Sequence, residues 1–237
     1  MSVYRKRPYL TSGDNINGGV PQRGSWYGDQ YVVPIENALQ ALAGEGSYFV
    51  GANPTVATEL AGHAAPAIAD GATKPLLYLF NAGDRFIFPD RLWLRTDTPN
   101  ASATETYFTV HLDAGDSRDS GGTAITPQNT RSDSPITTGA TMYFGAVVTT
   151  PNNARLVGQR QVRSVIQVAE DEYSFSWGYP QGIGSNRITT GTADVHTLTT
   201  FPPVAVGPGD ALIFSMICPA GAATAWDGEF EFGYIER

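Results

Sequence analysis

His63, His111 and His196 are the three imidazoles of the chain, and they stand far apart in sequence. A metal centre in a double-sheet β-barrel asks for a His-x-His pair with a Glu a few residues on. It also asks for another His beyond a Pro-Gly turn. That turn is present as Pro208-Gly209-Asp210, within VAVGPGDALIFSM, which reads as strand, tight turn, strand. The residues that follow, ALIFSMICP, contain no His, and no His-x-His pair occurs. The turn is therefore expected to belong to a scaffold. His196 alternates with apolar residues in DVHTLTT and is expected to face solvent or a polar partner.

The remaining chemistry-bearing residues are weighed against plainer uses. DAGDSRDSGG spaces Asp113, Asp116 and Asp119 three apart in a Gly-rich loop, and carboxylates with backbone carbonyls are what calcium needs. The spacing is not that of an EF-hand, turn formation explains the same residues, and Arg118 stands between two of the acids. Glu170, Asp171 and Glu172 form the densest acidic cluster, expected as a solvated turn before EYSFSW. No Gly-x-Ser-x-Gly elbow and no phosphate-cradling loop occurs. The single cysteine, Cys218, reads as a small buried hydrophobe. Trp26, Tyr27, Tyr31, Trp177 and Tyr179 are aromatic enough for a sugar platform, but core or interface packing is the commoner use. No catalytic, cofactor-binding or metal-binding residue is assigned, and the chain is expected not to be an enzyme. A cupin-like or glycosidase-like enzyme is kept as an alternative, tested by metal analysis.

The elements that would carry such groups read as all-β. With 26 Gly, 16 Pro and 16% charged residues, the composition suits many turns and few helices. LLYLF (76–80), RLWLRT (91–96), TYFTVHL (106–112), TMYFGAVV (141–148), VRSVIQV (162–168) and EYSFSW (172–177) have strand character. So do DVHTLTT (194–200), VAV (204–206), ALIFSMI (211–217) and EFEFGYI (229–235). In the last, Phe230, Phe232 and Tyr234 share one face, and Glu229 and Glu231 the other. About ten short strands suit two packed sheets, a jelly-roll β-sandwich. Two connections, 51–75 and 113–139, read as long loops. One short helix is expected over 35–43, with Ile35, Leu39 and Leu42 on one stripe and Gly44 after its end.

Residues 1–34 differ from the rest and are read as an extended N-terminal arm before a jelly-roll domain, 35–237. The arm has Gly, Asn and Pro throughout and no sustained period, so it cannot bury enough surface to order itself. Arg5, Lys6 and Arg7 interleave with Tyr4 and Tyr9, and Trp26 and Tyr27 follow. These are expected to bind a partner, with the aromatics as anchors on an acidic neighbour. The net charge of −8 argues against nucleic acid. Thirteen arginines against two lysines suit interfaces, although codon bias gives the same ratio. No apolar signal core and no run of membrane-spanning length occurs, so a soluble protein made in a cytosol is expected.

The run from GANPTVATELAGHAAPAI through ATKPLLYLFNAG to HLDAGDSRDSGGTAITPQNT resembles structural proteins of tailed-phage virions. The end, VGPGDALIFSMICPAGAATAWDGEFEFGYIER, resembles them too. The resemblance covers about residues 47–237 in style and carries no catalytic residue. It implies a jelly roll, often trimeric, that serves as a capsid decoration (cement) protein, a head-fibre base or a tail part. The expected partners are copies of itself and the major capsid protein or another virion protein. The expected place is the phage head surface, after synthesis in the host cytoplasm. A receptor- or carbohydrate-binding jelly roll of a head fibre or tail is the alternative. The long arm departs from the family pattern.

Overall fold

The computed structural model describes residues 38–54, 60–61, 75–98, 106–148, 154–163, 169–178, 197–217 and 227–237. The chain divides into two compact units, Met1–Ala41 and Leu42–Arg237. The first is described only from Ala38, where helix α1 (Ala38–Glu45) begins. The helix expected over 35–43 therefore runs two residues further. Gly46, not Gly44, stops it: Gly46 has φ 76°, its N–H bonds Ala43 O at 3.0 Å, and Ser47 N–H bonds Leu42 O at 3.0 Å. This paired closure needs a left-handed residue one place beyond the helix, which glycine adopts without a Cβ penalty.

The second unit is all-β. One sheet contains β1 (Tyr48–Ala52), β2 (Leu60–Ala61), β4 (Ile87–Thr98), β7 (Gln128–Asn129), β10 (Glu172–Trp177), β11 (Thr197–Phe201) and β13 (Asp227–Glu236). Its order is β11-β10-β4-β13-β1-β7, with β2 also paired to β13. The other contains β3 (Leu77–Asn81), β5 (Thr106–Asp113), β6 (Arg118–Ile125), β8 (Ala140–Val148), β9 (Arg155–Arg163) and β12 (Ala211–Ile217), in the order β6-β8-β3-β12-β5-β9. All pairs are antiparallel except β10 with β11. The result is a two-layer β-sandwich.

Period-two patterning explains most of it. In β13 Phe230, Phe232 and Tyr234 are buried while Glu229 and Glu231 stay half-exposed, as the alternation predicts. β10 alternates likewise, with Tyr173, Phe175 and Trp177 inward. The central strands β3 and β12 are buried on both faces, which is why they read as near-continuous apolar runs. Between the sheets the core is aromatic. Phe108 lies 4.8 Å from Phe175 and 5.4 Å from Phe214, Trp177 stacks on Phe201 at 5.7 Å, and Phe144 stacks on Phe230 at 4.8 Å. Edge and offset contacts of this kind hold rings better than face-to-face ones.

Three expectations are corrected. The connection 113–139 contains β6 and β7, although RDSGGTAI has little strand propensity. Pairing with β8 decides β6, because ladder bonds to a partner outweigh local preference. VAV (204–206) is no strand. Val206 makes a single bridge to Ile87 in the opposite sheet, and Pro202 and Pro203 just before it lack the N–H a ladder needs. The Pro208-Gly209-Asp210 turn thus passes the chain between layers and closes no hairpin. The third concerns a strand that starts earlier than expected: β9 spans Arg155–Arg163 and so includes the first two residues of VRSVIQV (162–168), of which 164–168 lie outside the described residues.

Candidate functional site

The residues of the arm singled out for partner binding, Tyr4, Arg5, Lys6, Arg7, Tyr9, Trp26 and Tyr27, lie outside the described residues, as do His63, His196, Cys218, Tyr31 and Tyr179. His111 is buried on β5, opposite Ile213 and Leu156. The three aspartates do not converge. Asp113 is buried and bonded to the Ser117 hydroxyl, and Asp116 accepts the Tyr78 phenol at 2.8 Å. Asp119 is exposed and accepts from Ser120 Oγ at 3.3 Å. Arg118 does not neutralise them through its guanidinium, which lies 3.6 Å over the Tyr143 ring. Among the described residues no three His, Cys, Asp or Glu are grouped to hold a metal ion.

The acidic cluster before β10 is split by its backbone. Glu170 turns outward at φ 67° and faces Arg95 at 3.5 Å, while Asp171 is buried and accepts from Tyr173 Oη at 3.4 Å. A uniformly solvated turn was expected; the burial of Asp171 corrects it. Trp177 takes the packing role, not that of a sugar platform. It is 3% exposed and packs edge-on against Phe232 at 5.8 Å.

Several buried polar groups act as cross-links. Glu236 accepts the Thr138 hydroxyl at 2.8 Å and Gly139 N–H at 3.2 Å, fastening the segment before β8 to the end of β13. Tyr48, on β1, reaches across β13 to bond Asp90 Oδ2 on β4 at 2.7 Å. It passes directly over Gly233, where an added Cβ would collide with its phenol oxygen. Gly233→Ala is expected to break this bond and cost about 1–3 kcal/mol, because Asp90 is buried and loses its donor. Urea denaturation checks it. A loss no greater in Gly233→Ala/Tyr48→Phe than in Tyr48→Phe alone is expected, since both act on one contact.

Tyr48, Tyr78 and Tyr234 have phenol pKa values raised above the ordinary value near 10, chiefly by burial. The hydrogen-bonded Asp90 and Asp116 raise the first two further, while the Thr138 bond partly offsets the effect at Tyr234. In the unfolded chain these phenols ionise near pH 10; in the fold they keep their protons. Their stability contribution is whole below about pH 10 and is lost as pH rises beyond it. The urea midpoint is expected to fall between about pH 9 and pH 11. A flat midpoint across that range would mean the three phenols are open to solvent.

The exposed apolar surface gathers at one place. Of three exposed large hydrophobic residues among the described ones, Phe86 and Phe88 are neighbours, with ring centroids 6.4 Å apart. Phe88 pairs across the ladder with Ile235. Together with Leu42 of α1, Trp177, Pro203 and Val204 it lines a groove of about 360 Å³, with Asp90 and Arg237 also on its wall. The Trp177 indole N–H is buried with no acceptor. Arg237 is held at the wall by Glu45 at 2.6 Å.

No protein family, curated protein or solved structure matches the chain.

A second surface runs along the outer side of the seven-stranded sheet. Trp93 is half-buried there, directly opposite Ser174 on β10 and Glu231 on β13, with Arg91 and Arg95 two residues to either side. Arg91 pairs with Glu231, and Arg95 faces Glu229 at 3.8 Å. Neither this residue nor the groove was singled out in sequence. The alternation of RLWLRT puts Trp93 opposite in phase to Leu92 and Leu94, a signal that would have found it. The groove draws on residues up to 195 positions apart, Leu42 to Arg237, and has no local signature.

Proposed function

We propose that the chain is a non-enzymatic structural protein of a virion: a jelly-roll subunit, trimeric, that decorates and clamps a phage head shell. The strand order supports the jelly-roll part of this reading. β1-β13-β4-β10 against β3-β12-β5-β9 is consistent with an eight-stranded jelly roll, whose path crosses between sheets and whose first and last strands pair, as β1 and β13 do here. β6 and β8 extend one sheet beyond β3, β11 extends the other beyond β10, and β7 lies beyond β1. Asp90 and Glu236 are committed to bonds between distant segments, and Asp113 to a bond within its loop, which suits a rigid building block. The virion and the trimer are what the resemblance of residues 47–237 to tailed-phage proteins would imply.

Such a subunit works through area. It binds the assembled shell and not free capsid subunits, and so stabilises the shell by mass action. Stable contacts of this kind bury roughly 1,600 Å² each. The arm, with Arg5, Lys6, Arg7 and the tyrosines, adds clamp area. The test is the solution mass and the heat resistance of decorated shells, with and without residues 2–33. A trimer of about 76 kDa, three times 25.3 kDa, and loss of protection on truncation are expected. Shells protected equally by the truncated protein would sink the clamp.

Trp93 favours a second reading, a carbohydrate-binding jelly roll. An indole face flanked by Arg91, Arg95, Glu231 and Ser174 offers a sugar both stacking and hydrogen bonds. A glycan array on the native protein and on Trp93→Ala tests it: binding lost in the variant supports this reading.

A further inference from the structure

We propose that the groove lined by Leu42, Phe88, Trp177, Pro203, Val204 and Ile235 is the seat for the first ten residues of a second copy of this chain. The inference rests on the arm reading above and says where that arm goes. Phe88, one of the exposed large hydrophobic residues among the described ones, lines the groove, and the exposed Phe86 ring lies 6.4 Å from it. At about 360 Å³ it has room for a few large side chains of an extended peptide, and lies at the small end of ligand clefts. Trp177 forms part of its lining, and the indole N–H there is buried without an acceptor.

Length and charge choose the occupant. Between Leu10 and Ala38 lie 27 residues, which reach up to roughly 90 Å when extended. A domain of some 200 residues is about 40 Å across, so the tip can reach a neighbouring copy. The tip YRKRPYL brings Tyr4, Pro8, Tyr9 and Leu10 for an apolar groove. It also brings three basic residues and no acid. Because the whole chain is −8 and the first ten residues are +3, the remainder is −11. A basic tip is therefore drawn to the acidic body of another copy; at the groove itself Asp90 and Arg237 stand on the wall, the latter already paired with Glu45. The pairing is head-to-tail, and it closes into a ring when the rotation between copies allows.

Two measurements on the full chain test the seat. In a Cys218→Ser background, a Tyr9→Cys chain and a differently tagged Val204→Cys chain are mixed and oxidised. A mixed disulfide dimer is expected in at least tenfold excess over that formed with a Ser120→Cys chain, whose site is exposed on the distant edge strand β6. Phe88→Asp, at a residue already 37% exposed, is expected to fold and to weaken self-association at least tenfold by light scattering. Equal cross-linking to Val204→Cys and Ser120→Cys would overturn the proposal. So would an unchanged mass in Phe88→Asp. If Tyr4→Ser/Tyr9→Ser dissolves the assembly while Phe88→Asp does not, the seat is wrong and the arm reading stands. If neither dissolves it, both fall.

Discussion

Replacing Phe108 by alanine is expected to lower the unfolding free energy by about 3–5 kcal/mol. The ring is 0% exposed and meets three aromatic neighbours on two other strands. Tyr173 lies at 5.3 Å and Phe175 at 4.8 Å on β10, and Phe214 at 5.4 Å on β12. It thus joins the six-stranded sheet, where it resides, to the seven-stranded sheet. Its neighbours are rigid rings held by one another: Phe175 contacts Phe201 at 5.6 Å, and Phe201 contacts Trp177 at 5.7 Å. A void among such rings closes only partly, so the cavity penalty adds to the lost transfer energy. Phe108→Leu keeps most of the volume and is expected to cost under about 1.5 kcal/mol. Chemical denaturation of both variants checks the pair. A loss below about 1 kcal/mol for alanine would mean that the rings are not the joint between layers.

Asn81→Leu is expected to cost about 2–4 kcal/mol through a different mechanism, the stranding of backbone groups. Asn81 ends β3 and is 0% exposed. Its amide donates to Arg85 O at 2.7 Å and to Val206 O at 3.1 Å, and its side-chain oxygen accepts Gly83 N–H at 3.1 Å. Its main chain accepts Gly209 N–H at 2.8 Å and donates to Asp210 O at 3.0 Å. One residue therefore holds the β3–β4 connection to the Pro208-Gly209-Asp210 turn. Asn81→Asp keeps the acceptor but turns a carboxylate towards two carbonyl oxygens, so it is expected to be at least as harmful as leucine. Native-state hydrogen exchange gives the local readout: the amides of Gly83 and Gly209 should lose protection in both variants. Protected amides in Asn81→Leu would show that the turn stands without its staple.

That residue also decides the role of the turn. Read along the chain, Pro208-Gly209-Asp210 sits between two apolar runs and resembles a hairpin. In space it belongs to a corner between layers, fixed by an asparagine 125 residues upstream of Val206. Nothing near Val206 in sequence announces Asn81, because the bond is made only when β3 and the 202–210 segment are brought together by separate sheets. The same holds for Tyr48 and Asp90, whose bond needs Gly233 between them. It holds for β6, where a Ser-Gly-Gly segment becomes a strand because β8 lies beside it. The groove of Leu42, Phe88 and Val204 is the same kind of object.

What the sequence determined by itself is the layer each residue of a strand faces. Phe230, Phe232 and Tyr234 against Glu229 and Glu231, or Tyr173, Phe175 and Trp177 against Ser174 and Ser176, are set by the two-residue period of an extended chain, a local property. Tertiary structure alone decided which strands are neighbours, which polar groups become cross-links, and where apolar surface is left uncovered. Those depend on pairings between segments far apart in the chain, whose energies exist only once both partners are in place.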